Sequence, residues 1–151
     1  MSLSLNSTTD ISCIGPTLYW TIEDPTTTDY EKQESLTEIM AHLKSMVMAG
    51  WSVNTQDSEG HTVLHWLIIT DAWYPYQRTF IEELVTLGIN VNKQDYRGYT
   101  ALIWAALFNK SGAVKLLLKL GADKDIVDKQ GKTAMYYAVE NSYGDISNQL
   151  I

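Results

Sequence analysis

Residues 95–128 read DYRGYTALIWAALFNKSGAVKLLLKLGADKDIVD, and this stretch decides the fold. It opens on Asp-x-x-Gly-x-Thr at Asp95, and a second copy of that motif begins at Asp128, 33 residues further on. An earlier copy begins at Asp57, 38 residues before Asp95. Repetition at this spacing is typical of a solenoid built from similar units that stack on one another.

The residue types in this unit predict a turn, a helix, a loop and a second helix, in that order. Asp95 and Gly98 are turn residues, because Asp can bond the backbone that follows it and Gly accepts a positive φ. Thr100 can cap the first helix and Ser111 the second. Gly121 suits the left-handed residue that follows a helix. One such helix pair cannot bury its apolar face alone, so neighbouring units must supply the core.

The copies resemble the ankyrin repeat. The run Asp57–His65, DSEGHTVLH, is similar to the ankyrin signature Asp-x-x-Gly-x-Thr-Pro-Leu-His, with Val63 where proline is usual. Residues 88–92 and 121–123 are similar to the Gly-Ala-Asp-Val-Asn ending of the repeat. The resemblance implies an all-α solenoid of stacked helix-turn-helix units with β-turn fingers, and a non-enzymatic role as an adaptor that binds proteins.

The resemblance also divides the chain. It is strong from Asp57 onward, weak over 30–56 and absent before that. Apolar residues at steps of three and four predict a helix from Tyr30 to Ala49, with Asp29 as its cap. We expect an N-terminal arm over 1–28, a divergent capping repeat over 29–56, repeats over 57–94 and 95–127, and a last repeat over 128–151 that is either a cap or a truncated unit.

Composition excludes several classes of protein. The chain has 151 residues and a net charge of −7, which argues against nucleic-acid binding and favours a basic partner. A single cysteine, Cys13, rules out an intramolecular disulfide framework and fits a reducing compartment. No segment approaches the ~18 apolar residues of a membrane span, and no secretory signal is apparent. We therefore expect a cytoplasmic protein with no membrane partner.

The sequence offers little for catalysis, and we predict no catalytic residue, no metal site and no cofactor. None of the three histidines belongs to a recognisable metal or nucleophile motif. The resemblance implies that His65 forms hydrogen bonds between adjacent turns. His42 is expected at the surface, and His61 on the first turn, where it can touch a partner.

The resemblance implies a partner-binding surface formed by the turn tips and the exposed face of each first helix. Tyr96, Arg97 and Tyr99 are expected to be exposed together, because a turn tip has little core to enter. For each aromatic taken separately, Trp104 above all, partial burial between repeats is the alternative. Tyr, Trp and Arg are the types that dominate interface energetics. The predicted contact residues are Ser58, Glu59, His61, Trp66, Tyr96, Arg97, Tyr99, Trp104, Leu107, Phe108, Lys129, Gln130, Lys132 and Tyr137, and the same mapping adds Ile69, Thr70, Glu140 and Asn141.

Two further features have open interpretations. The insertion between the helices of the Asp57 unit carries Trp73, Tyr74 and Tyr76, which either form a second contact site or fold back beside the N-terminal arm. The resemblance also implies that Asn92, which follows Val91, can be a substrate for an asparaginyl hydroxylase.

The partner is expected to be a protein whose identity the sequence does not reveal, and the chain a monomer. One alternative is a regulatory or targeting fragment of a larger protein, such as a viral or bacterial host-directed effector. Another is a homodimer through the last helix, with Leu150 and Ile151 buried in the contact.

Overall fold

The computed structural model describes residue 26 and residues 28–70 and 75–151. The rest of the N-terminal arm, with Cys13, lies outside these residues, as do Trp73, Tyr74 and the side chain of Tyr76. The described residues form seven helices and no strand, which confirms the all-α prediction. In chain order the helices are α1 Asp29–Met48, α2 Val63–Ile69, α3 Pro75–Thr86, α4 Ala101–Leu107, α5 Ser111–Lys119, α6 Ala134–Glu140 and α7 Gly144–Leu150.

Helix α1 forms where the apolar periodicity predicts it, within one residue at each end. Its cap is Thr28 rather than Asp29. The Thr28 hydroxyl oxygen accepts a hydrogen bond from the Glu31 amide at 3.3 Å, and the Glu31 carboxylate accepts one from the Thr28 amide at 2.8 Å. This reciprocal arrangement satisfies two backbone donors that a helix start otherwise leaves free. The buried face includes Ile39 and Leu43, as the stripe of apolar residues requires.

Each later unit begins with a threonine before its first helix, as predicted. The Thr100 hydroxyl oxygen accepts from the Ile103 amide at 3.2 Å, and Thr133 makes the same contact with Tyr136. The second helix differs from the prediction, because Lys110 occupies the capping position of α5 without a side-chain hydrogen bond to the start of that helix, and Ser111 is the first helical residue. Gly121 has a φ of +89°, in the left-handed conformation expected after α5.

The helices stack in pairs around one apolar core. Helix α4 contacts α2 before it, α6 after it and α5 in its own unit, while α5 contacts α7 and α1 contacts α3. Every residue from Ala101 to Ala106 is buried, and the small Ala105 and Ala106 allow close approach of the neighbouring helices. Leu84 of α3 and Leu117 of α5 are fully buried on the other side of the stack. The core therefore runs continuously through the units, as a solenoid requires.

Candidate functional site

Three tight turns, which we call the fingers, precede α2, α4 and α6. The first spans 57–62, the second 95–100 and the third 128–133. In the second finger, one Asp95 carboxylate oxygen accepts from the amides of Arg97 at 2.8 Å and Tyr99 at 2.9 Å. Asp57 and Asp128 hold their own fingers through the equivalent bonds. The repeated aspartates are therefore turn-forming residues, as the sequence indicated.

The fingers lie side by side along one edge of the molecule. The Tyr96 amide donates to the Glu59 carbonyl at 3.1 Å, and the Lys129 amide donates to the Arg97 carbonyl at 3.2 Å. Below them, the Gln94 side-chain amide donates to the Val127 carbonyl at 2.9 Å. These bonds align the three tips in one row, which confirms the predicted arrangement.

Gly98 is required for this close approach. It has a φ of +86°, and a Cβ placed on it would lie 2.7 Å from the Lys129 nitrogen and 2.9 Å from the Asp128 Cα. Both neighbours are backbone atoms, which cannot rotate away as a flexible side chain can. Any residue larger than glycine at this position must therefore push the second and third fingers apart.

Asparagine side chains join the ends of successive units. The Asn92 side-chain oxygen accepts from the Asp123 amide at 2.8 Å, and its amide group donates to the Gly121 carbonyl at 3.5 Å. Asn54 makes the same pair of bonds to the unit that follows it. Asn92 thus joins its own unit to the next one, and its hydroxylation stays a prediction.

The second oxygen of each finger aspartate binds an aromatic residue of the following helix. The indole nitrogen of Trp66 donates to Asp57 at 2.8 Å and that of Trp104 to Asp95 at 2.9 Å, while the Tyr137 hydroxyl donates to Asp128. Trp104 and Tyr137 are only 8% and 6% exposed, so they are not available as contact residues. For Trp104 the alternative of burial between repeats is confirmed. For Tyr137 the predicted exposure is wrong, because its hydroxyl reaches inward to the finger.

Tyr99 corrects the prediction for the second finger. Its ring lies 5.1 Å from the Trp104 ring and 5.8 Å from the Tyr137 ring, with its hydroxyl oxygen 3.2 Å from that of Tyr137. Tyr99 is half-buried because it stands at the base of the finger, beside the first helices, rather than at the tip. Only Tyr96 and Arg97 are exposed as predicted.

His61 lies between two fingers rather than on an open surface. Its Nε2 is 3.4 Å from a carboxylate oxygen of Asp95 and its Nδ1 is 3.8 Å from one of Asp57, with 13% of the side chain exposed. Its ring also packs edge-on against those of Trp66 and Trp104. This side chain therefore has little surface for the predicted contact with a partner. It bridges two units instead.

His65 forms the predicted link between adjacent turns. Its Nδ1 accepts from the Thr62 amide at 3.0 Å, so the proton resides on Nε2, which donates to the Tyr99 carbonyl at 3.1 Å. Burial of the imidazole lowers its pKa to about 4, against weaker opposing effects from the Tyr99 carbonyl and Asp95. The neutral ring is the form that fits this site, because a second ring proton would face the Thr62 donor.

Lowering the pH from about 7 to about 5 is expected to reduce the free energy of unfolding by about 2 kcal/mol through His65. The unfolded imidazole takes up a proton near pH 6.5 and the folded one near pH 4. Between these values the unfolded state binds more protons, so stability falls as the pH falls and is unaffected by this group above 6.5. Urea denaturation across this range measures the slope.

The matched control for this pH dependence is His65→Gln, which removes the titrating group. That variant is expected to be less stable at neutral pH but to lose most of the dependence on pH. An unchanged slope in His65→Gln would show that another group causes the acid sensitivity.

The remaining contact candidates divide by exposure. Tyr96 and Phe108 are 57% and 42% exposed, and Phe108 stacks on Trp104 with 5.2 Å between the ring centroids. Thr70 is buried, so its mapping onto the surface is wrong; its hydroxyl donates to the Leu67 carbonyl at 2.9 Å. Exposed candidates are Ser58, Glu59, Arg97, Lys129, Gln130, Glu140 and Asn141, and half-buried ones are Trp66, Ile69, Leu107 and Lys132.

Sequence reasoning missed Tyr136. It is 42% exposed, and the Lys132 Nζ lies 4.5 Å from the centroid of its ring. By the 33-residue register, Tyr136 corresponds to Ile103, which the following unit buries. The register itself could have identified Tyr136, because in the described residues no unit follows to cover that position.

Two other expectations need correction. His42 is half-buried rather than on the surface, and its Nε2 is enclosed without a hydrogen-bond partner among the described residues. Leu150 is buried within its own chain, while Ile151 is exposed. The dimer contact that the sequence suggested would therefore have to form without Leu150.

The stacked helical pairs, the shared core and the aligned fingers define a helical-repeat solenoid. A family model described as ankyrin repeats, in three copies, matches residues 33–128 and 72–151, and the chain belongs to this family. Ankyrin repeats in general are non-enzymatic and mediate protein–protein interaction. A comparison with curated proteins finds no match.

Two other kinds of feature are absent from the described residues. None of their helices combines the length and apolar character of a membrane span. Nor do their His, Cys, Asp and Glu side chains form a group of three or more that could hold a metal ion.

Proposed function

We propose that this protein is an adaptor that binds a partner protein through the tips of its fingers and the adjoining ends of its first helices. The observation that carries this proposal is the exposure of Tyr96 and Arg97 at the middle of the finger row. Phe108 adds a third exposed side chain at the end of α4. Tyr and Arg are among the residue types that supply most of the binding energy in known interfaces.

The surface is supported from below by hydrogen bonds that are already formed. Asp95 fixes the backbone on which Tyr96 and Arg97 stand, and the amide of Tyr96 is bonded to the first finger. A partner therefore meets a tip whose backbone needs no ordering on association, and that reduces the entropic cost of binding.

The division of the chain is part of this proposal. Helix α1 lies alone in the proposed cap over 29–56, and the three helix pairs fall within 57–94, 95–127 and 128–151. The finger row then belongs to the three later units, and the cap closes one end of their shared core.

Joint replacement of Tyr96 and Arg97 by alanine is expected to weaken partner binding by about 2 kcal/mol, roughly thirtyfold in Kd. Tyr99 is left intact, because its ring packs on Trp104 and its loss would disturb the fold. Partners are captured from an extract on the immobilised protein, and each is then titrated against both forms.

The matched control replaces Lys115 and Lys119, two exposed residues of α5, by alanine. This variant is expected to bind as tightly as the unmodified protein, and both variants should melt at nearly the unmodified temperature. If binding survives the finger replacement but is lost in the α5 variant, the binding site lies on α5 and not on the fingers.

A further inference from the structure

The charges along the finger row change sign from one end to the other. The tip of the first finger carries Glu59, that of the second carries Arg97 and that of the third carries Lys129, while the half-buried Lys132 lies at the base of the third finger. The Asp95 and Asp128 carboxylates are buried and bonded to the amides of their own fingers. Exposed positive charge thus collects at the second and third fingers of a chain whose net charge is −7.

Arg97 and Lys129 form none of the ion pairs found elsewhere on the surface, whereas Lys132 interacts electrostatically with Asp128 of its own finger. Lys44 lies 2.7 Å from Glu83 and Arg78 lies 3.0 Å from Glu82. By contrast, within the part of the chain that the structure describes, no carboxylate lies within 4.0 Å of the charged groups of Arg97, Lys129 or Lys132. The charges of the exposed Arg97 and Lys129 therefore remain open to a ligand.

The backbone holds these residues close together beside exposed aromatic rings. The bond from the Lys129 amide to the Arg97 carbonyl makes their tips direct neighbours. Tyr96 precedes Arg97 in the second finger and its ring lies against Gly60 of the first finger, while the Tyr136 ring lies under the Lys132 ammonium. We call the five residues Tyr96, Arg97, Lys129, Lys132 and Tyr136 the basic end of the finger row.

We propose that the basic end of the finger row binds an acidic peptide segment. Carboxylates of the segment pair with Arg97 and Lys129, and an apolar side chain packs on Tyr96. A guanidinium can hold a carboxylate through two parallel hydrogen bonds, and an aromatic ring offers apolar contact area to a neighbouring side chain. This inference rests on the proposed function and specifies the chemistry of the partner, opposite in sign to the basic partner that the net charge suggests.

A peptide fits better than a polynucleotide. Nucleic-acid binding draws on many phosphate contacts from clustered cations. Here the positive group is small, Glu59 lies at the other end of the row, and the rest of the chain is acidic. The change of sign also orients the segment, with its most acidic part over the second and third fingers.

The test is an NMR titration of the ¹⁵N-labelled protein with a hexaglutamate peptide, and in parallel with hexalysine and a single-stranded hexathymidylate. Hexaglutamate is expected to cause saturable shifts confined to the second and third fingers, and these should weaken as salt rises. Hexalysine should cause no shifts at these fingers. Absence of binding by hexaglutamate, or tighter binding by hexathymidylate, would overturn the proposal.

Charge reversal provides the matched comparison. The double variant Arg97→Glu/Lys129→Glu is expected to lose at least tenfold in affinity for hexaglutamate, and Arg97→Gln/Lys129→Gln is expected to lose less. Lys115→Glu/Lys119→Glu changes net charge equally on α5 and should bind normally. Equal losses in the two reversal variants would mean that net charge, not this site, governs the binding, and the proposal would be wrong.

The two proposals can fail separately. If the Tyr96/Arg97 alanine variant loses captured partners while hexaglutamate fails to bind, the adaptor function stands and the acidic partner is wrong. The opposite result is that hexaglutamate binds at the basic end while the captured partners bind the Tyr96/Arg97 alanine variant and the Arg97→Glu/Lys129→Glu variant as tightly as the unmodified protein. In that case the adaptor surface is wrongly placed and the peptide site is real.

Discussion

Replacement of Asp95 by alanine is expected to reduce the free energy of unfolding by about 4 kcal/mol. The carboxylate is buried and accepts hydrogen bonds from the amides of Arg97 and Tyr99 and from the indole of Trp104. His61 adds a further contact at 3.4 Å. Alanine removes the acceptor and leaves several donors unsatisfied, of which the indole N–H of Trp104 is the most deeply enclosed.

The lowered pKa of Asp95 also indicates that its carboxylate stabilises the folded state. Burial alone would raise the pKa of this carboxyl, but the surrounding donors outweigh it and hold the value at about 2 instead of the usual 3.8. A group with a lowered pKa stabilises the folded state above its unfolded value. Its contribution is lost as the pH falls from 3.8 through about 2. The ionised form is therefore the one that holds the second finger.

Asp57→Ala is the matched comparison, because Asp57 has the same three donors in the first finger. Its side chain is 11% exposed whereas that of Asp95 is fully enclosed, so water can replace part of what is lost. We expect Asp57→Ala to reduce the free energy of unfolding by about 2 kcal/mol, as measured by urea denaturation. Equal effects for the two variants would mean that the fuller enclosure of Asp95 and its closer contact with His61 add nothing.

The sequence was sufficient to predict the parts of this fold that depend on local chemistry. The threonine caps, the finger aspartates and the left-handed Gly121 follow from backbone requirements that each unit meets by itself. His65 was also predicted correctly, because the family resemblance assigned it a fixed partner in the next turn. Repetition made these predictions secure, since each residue type recurs in register.

The sequence was insufficient where a side chain's direction depends on the neighbouring unit. Tyr99 and His61 are polar or amphipathic residues on turns, and by composition they belong at the surface. The structure instead places Tyr99 between two aromatic rings and His61 between two carboxylates. Each of these environments combines residues more than 30 positions apart, and no local pattern records that combination.

Gly98→Ala is expected to destabilise the protein by about 3 kcal/mol, and Gly131→Ala by only about 1 kcal/mol. Both glycines have a positive φ, +86° and +77°, so the backbone strain of alanine is common to them. They differ in their surroundings, because a Cβ on Gly131 meets nothing within 4 Å whereas one on Gly98 meets the backbone of the third finger. The difference between the variants therefore isolates the contact between fingers.

The same pair of variants connects the fold to the proposed site. Gly98→Ala must break or lengthen the bond from the Lys129 amide to the Arg97 carbonyl, so hydrogen exchange at Lys129 should accelerate in that variant and not in Gly131→Ala. Separation of the two tips should also weaken hexaglutamate binding without removing any charge. Equal stability and equal exchange in the two variants would show that the fingers do not rely on close approach. The neighbouring positions of Arg97 and Lys129, on which the basic end of the finger row depends, would then lose their structural basis.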